Sequence, residues 1–175
     1  SATIASLPSD RLVESFNPES ISPDGTKTID LTDIDFTNRH LIIKGAATFT
    51  SSDTFGLEIT VNGITSGYSY TAKSDGTAPT RVTGASSFTL VSTTDNNAVV
   101  SFDYLVMQGE DYNWREVVIH GTATTSNTNR EVLTEGNVDL GDVEVTSLEF
   151  SQPGTDDGSG NGGRIDVIAR KGGGI

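Results

Sequence analysis

The chain has no cysteine, two histidines, one methionine and one tryptophan among its 175 residues. Without cysteine there is no disulfide, no thiolate metal site and no cysteine nucleophile. A chain of this length can bury a core without crosslinks, so the lack says little about compartment. Bases are scarce as well: 11 Lys and Arg stand against 24 Asp and Glu, a formal net charge of -13. No basic patch is available to release phosphate counterions, so nucleic acid and anionic membrane are poor partners. No run approaches the roughly 20 apolar residues of a membrane span, and no signal-peptide pattern opens the chain. Ser1 in place of Met fits removal of either an initiator or a leader.

What fills the sequence instead is Gly, Ser, Thr, Asn and Asp, with 34% hydrophobic residues. That mix suits many short strands joined by turns and is poor for helix bundles. From Lys27 the apolar residues recur with a period of two. "HLIIKGAATF" alternates Leu41, Ile43, Gly45, Ala47 and Phe49, and "FGLEITV" sets Phe55, Leu57, Ile59 and Val61 against Glu58 and Thr60. Asn62-Gly63 then predicts a hairpin returning through "ITSGYSYTA", a pair over 55–71. "AVVSFDYLVM" places Val100, Phe102, Tyr104 and Val106 on one face and Val99, Ser101, Asp103 and Leu105 on the other. Further strands follow in "SFTLVS", "WREVVIHGTAT", "REVLTEG", "VEVTSLEF" and "RIDVIAR". About nine or ten strands with no crossover helix predict an all-β fold. The expected form is a two-sheet antiparallel β-sandwich, jelly-roll-like, over 27–175.

Residues 1–26 read differently. Pro8, Pro18 and Pro23 break any continuous helix or central strand, though "PSDRLVESF" could open a short helix. The apolar residues are scattered as Leu7, Leu12, Val13, Phe16 and Ile21. This predicts an extended N-terminal arm lying on its own body or on another subunit, against a plain unfolded terminus.

No catalytic signature emerges. His40 and His120 sit in strand patterns with no nucleophile elbow nearby, which predicts sheet-face histidines. There is no phosphate loop or dinucleotide fingerprint. Asp53, Asp103, Glu110, Asp111 and Glu116 could supply a glycosidase carboxylate pair, but such a pair has no spacing rule. The loop Glu110, Asp111, Tyr112, Asn113, Trp114 and Arg115 has the composition of a glycan or partner contact. Aromatic rings stack on sugar C–H faces while charged and amide groups take hydroxyls. The competing reading packs Trp114 in the core or at a subunit contact. Tyr68 and Tyr70 share a face and favour a structural role.

"GTDDGSGNGGRIDVIAR" raises calcium, with Asp156, Asp157 and Asn161 as oxygen ligands. The two Asp are adjacent, however, and position 12 counted from Asp156 is Val167, where an EF-hand needs Glu. A polar, glycine-rich hairpin loop is the favoured reading, and no cofactor is expected.

"TKTIDLTDID…HLIIKGAATFTSSDTFGLEITVNGITSGYSYTA" resembles the opening of small β-sandwich domains in virion proteins of tailed bacteriophages. "EVTSLEFSQPGTDDGSGNGGRIDVIARKGG" is similar to their final hairpin. The resemblance spans roughly residues 27–172 and rests on strand rhythm and two hairpins. It implies a non-enzymatic structural part of the virion: a capsid or tail decoration, spike, or fibre and receptor-binding subunit. Its partners would be itself, most often as a trimer, and other virion proteins, through the arm and sheet edges. Within that reading, host-surface glycan attachment through the 107–115 loop is a subsidiary expectation. A carbohydrate-binding module or lectin, extracellular and soluble, is the alternative reading, and a polysaccharide-cleaving enzyme a third.

Overall fold

The computed structural model describes residues 10–21, 25–36, 39–50, 55–73, 77–93, 98–109, 116–125, 131–152 and 159–171. Among them are twelve strands and one 3-10 turn, Pro18–Ile21. The strands are β1 Asp10–Phe16, β2 Thr26–Asp30, β3 Arg39–Thr50, β4 Phe55–Val61, β5 Tyr68–Lys73 and β6 Thr80–Ala85. The second half adds β7 Phe88–Thr93, β8 Ala98–Gln108, β9 Glu116–Thr125, β10 Glu131–Asp139, β11 Ser147–Ser151 and β12 Ser159–Lys171. They form an antiparallel β-sandwich. The larger sheet runs β1-β12-β3-β8-β9-β10-β5-β6 and the smaller β2-β11-β4-β7.

Eight of these strands make a jelly roll. The antiparallel pairs β1·β12, β2·β11, β3·β8 and β4·β7 nest inside one another like the rungs of one long hairpin. Rolling that hairpin up adds β12·β3 and β11·β4 and splits it into two sheets. The hairpins β5–β6 and β9–β10 are insertions that widen the larger sheet beyond β8.

The alternation read from the sequence sets the core. Val100, Phe102, Tyr104 and Val106 of β8 point inward, as do Leu57, Ile59 and Val61 of β4 and Val117 and Ile119 of β9. The widened sheet curls around edge strand β7. The Tyr104 hydroxyl donates to the Leu90 carbonyl, and the Tyr70 hydroxyl lies 3.1 Å from that of Thr89. Leu90 is the residue that β7 bulges out opposite β4, so tyrosines from the other sheet serve the edge that the bulge disrupts.

Close packing needs glycine where an aromatic ring lies across a neighbouring strand. Gly45, Gly121 and Gly136 stand directly opposite Phe102, Tyr104 and Tyr70. A methyl group at any of the three would overlap that aromatic residue and a backbone carbonyl. At Gly45 and Gly121 the ring itself takes the space that the glycine leaves open, and at Gly136 the Cβ of Tyr70 does.

Three expectations are revised. The arm over 1–26 does, along its described part, lie extended on the chain's own body, one of its two expected placements, but as a strand of the larger sheet. Residues Asp10–Phe16 are an edge strand in register with β12, Phe16 and Ile21 are buried, and Val13 is partly buried against the core. The physical reason is that "RLVESF" meets a free backbone edge on β12, and the prolines lie outside the strand itself. Leu12 alone of these is exposed, and Leu7 lies outside the described residues.

The expected hairpin over 55–71 is the second. Asn62 and Gly63 do adopt positive φ, 51° and 69°, and the Ile64 amide bonds the Val61 carbonyl at 3.0 Å. The turn nevertheless carries the chain from one sheet to the other, because β11 and β7 already occupy both edges of β4. The third is the final hairpin, for the same reason: β12 lies between β1 and β3, and β11 belongs to the smaller sheet. Its glycine-rich lead is partly strand, with a bulge between Gly160 and Gly162. Gly163 has a φ of 120° against Ala46, where a side chain would collide with backbone.

Candidate functional site on the outer face of the larger sheet

The inner face of the larger sheet is core, and strand alternation turns every second residue outward. Register then fixes which outward residues meet. Across β1, β12, β3 and β8 the pairs Leu12↔Ile168, Ile168↔Ile42 and Ile42↔Leu105 join into one apolar row. Met107 and Val118 face each other one step along β8 and β9. Among the described residues the large exposed apolar side chains are Leu12 (51%), Val99 (46%), Met107 (42%), Val118 (42%) and Val143 (51%). All but Val143 lie on this outer face. Within the row Leu12 is exposed, Ile168 and Leu105 are half-buried and Ile42 is buried at 6%, so the exposed apolar residues surround a partly covered row on one face.

Charges flank the row in pairs. On one side Arg170 bonds Asp10 at 2.9 Å. On the other, Arg164 bonds Asp166 at 2.6 Å, and Lys44 lies 3.6 Å from Asp103. Three cations thus match three carboxylates on the outer face of β1, β12, β3 and β8. In a chain of net charge -13 the outer side of these four strands is locally neutral, whereas β9 and β10 turn Glu116, Glu135 and Asp139 outward. Hydrogen bonding by Arg170 holds the Asp10 carboxyl below its ordinary range, and Asp10 in turn raises Arg170. Desolvation pushes Asp166 up, but hydrogen bonds from Arg164 and Ser15 outweigh it and the net direction is down.

Beyond the Lys44 row the face dips into an open trough of about 620 Å³. Lys44, Asp103, Thr122, Thr124, Arg164 and Asp166 line it, with Ser101 and Ala46 among the residues between. Hydroxyls, an ammonium, a guanidinium and two carboxylates can exchange hydrogen bonds with a polar ligand there. Each of the two carboxylates is paired with a cation, Asp103 with Lys44 and Asp166 with Arg164.

Of the residues singled out from sequence, Glu110, Asp111, Tyr112, Asn113, Trp114 and Arg115 lie outside the described residues, as do Asp156, Asp157 and Asp53. Asn161 is placed in the backbone of β12, at its bulge. Among the described residues no group of three or more His, Asp or Glu could hold a metal ion. His40 and His120 take sheet-face positions, paired across strands with Arg170 and with Leu105 and Glu135. The apolar row itself has no sequence signal, because each strand contributes one residue to it. No helix among the described residues is long and apolar enough to cross a membrane. No protein-family model, curated protein or solved structure matches the chain.

Proposed function

We propose that the chain is a non-enzymatic structural subunit of a phage virion, on the capsid or tail surface. It works by presenting the outer face of its larger sheet to neighbouring subunits. The observation that carries this reading is that Leu12, Val99, Met107 and Val118 are exposed on that face, around a register row in which Ile168 and Leu105 are half-buried and Ile42 is buried, with the charges of β1, β12, β3 and β8 balanced. Jelly rolls are used for viral capsid and lectin domains, which is support at the level of fold alone. The edges argue against strand addition as the means of contact. β1 and β6 each carry a register shift, and β2 is short, all of which discourage edge-to-edge pairing. These edges favour assembly through a face.

The test is peptide mass spectrometry of purified virions of the phage that encodes the chain. The reading expects the chain in many copies per particle, resistant to salt washing. Its absence from particles, with the protein recovered only free in the lysate, would refute the virion role.

The trough favours a second reading, a glycan-binding module or host-attachment site. Paired charges and hydroxyls around Lys44, Asp103 and Arg164 suit a polyhydroxylated ligand. Binding on a glycan array that drops about tenfold in Asp103→Asn, by loss of one charged hydrogen bond, supports it. Binding unchanged by that variant removes the trough from the account.

A further inference from the structure

We infer that the neighbour covering this outer face is a second copy of the chain, packed sheet to sheet across a twofold axis. The inference rests on the structural-subunit reading and names its partner. A second copy would ordinarily be a poor neighbour, because a net charge of -13 makes two chains repel. The outer face of β1, β12, β3 and β8 is where that objection lapses. Asp10, Asp103 and Asp166 are matched there by Arg170, Lys44 and Arg164, so two copies meeting on it bring no excess charge together.

The face is also complementary to itself. The row Leu12, Ile168, Ile42 and Leu105 crosses the strands, with Arg170 one step to one side and Asp166 and Lys44 one step to the other. A twofold axis laid along the strands between β12 and β3 stacks the row on itself, Ile168 over Ile42 and Leu12 over Leu105 of the second copy, and sets Lys44 over Asp166. An axis along the row would instead run on through His120 and set Glu135 over its own counterpart, like charge on like. The first arrangement buries apolar on apolar and opposes cation to carboxylate at two symmetry-related places, as an isologous interface requires. The four strands of this face are about 19 Å wide at the usual strand spacing, and three of them run 11 to 13 residues, about 36 Å or more. That comes close to the roughly 800 Å² per partner of a standard interface.

Sedimentation equilibrium of the whole chain tests the pairing, with two substitutions of equal native exposure. Leu12 and Val143 are both 51% exposed, but only Leu12 lies on the face. The wild type should show a concentration-dependent mass rising to twice 18.4 kDa. Leu12→Glu should weaken the association about a hundredfold, as expected for a charge placed in an apolar contact, while Val143→Glu should leave it unchanged. Circular dichroism on all three checks that the fold persists, and Leu105→Glu repeats the test from the opposite end of the row. A wild type that stays monomeric, a mass reaching three copies, or equal effects of Leu12→Glu and Val143→Glu would each overturn the inference. The virion reading is judged separately, by the content of particles, so the two can fail independently.

Discussion

The hydroxyl of Tyr68 accepts the Val61 amide proton at 2.8 Å and donates to the Ile64 carbonyl at 2.8 Å, bridging the turn by which the chain changes sheets. The ring lies edge-on to Phe88 at 4.8 Å, so one side chain ties the turn, the larger sheet and β7 together. Asn62 holds the same turn from outside. Its side-chain oxygen accepts from Thr146 and Ser147 at 2.7 and 3.1 Å, and its amide donates to the Glu144 carbonyl at 2.9 Å. Tyr68→Phe keeps the ring packing and removes the bridge. It should cost about 1–3 kcal/mol, the usual penalty for stranding buried polar groups, read from urea unfolding.

Burial also raises the pKa of the Tyr68 phenol, a shift that the Val61 hydrogen bond only partly opposes. A raised folded value means that the stability it carries is complete below about pH 10, the unfolded value, and is lost as pH rises through the folded one. The melting temperature should therefore fall above pH 10, and fall less in Tyr68→Phe. Asp30 and Asp166 are shifted the other way, Asp30 chiefly by the Thr32 amide. Their contribution is complete above about pH 4 and is lost on further acidification through their lowered folded values. Asp166→Asn should flatten the acid limb alone.

Which residues face the core was legible in the sequence, because alternation is a local property of a strand. The inward set of β8 and the shared face of Tyr68 and Tyr70 came directly from it. Pairing was not legible, because it depends on which edges are free. Asn62-Gly63 makes the turn that its chemistry dictates, yet both edges of β4 are taken and no hairpin forms. The same holds for β1: an extended segment on the chain's own body was legible as one placement, but its partner β12 was not. The outer row is the extreme case: Leu12 and Ile168 are nearly the whole chain apart and become neighbours only through register.

Gly121 offers a sharp check on that register. A methyl group there would overlap the Asp103 carbonyl and Tyr104. Gly121→Ala should destabilise by about 1–3 kcal/mol through overpacking. Gly109→Ala, where the nearest atom would be 3.8 Å away, should stay within about 0.5 kcal/mol. Thermal unfolding of both variants checks the contrast. Equal effects would mean that β8 and β9 are not paired as described.

The central claim is that the outer face of the larger sheet becomes covered when the subunit associates. Met107 is the only methionine, and it lies 42% exposed on that face. Peroxide oxidation adds one oxygen to its thioether and can be followed by intact mass without interference from cysteine. The account predicts rapid oxidation in dilute solution and a rate about tenfold slower once the chain is concentrated or incorporated into particles, as solvent access is lost. An oxidation rate that stays the same across that range would contradict it.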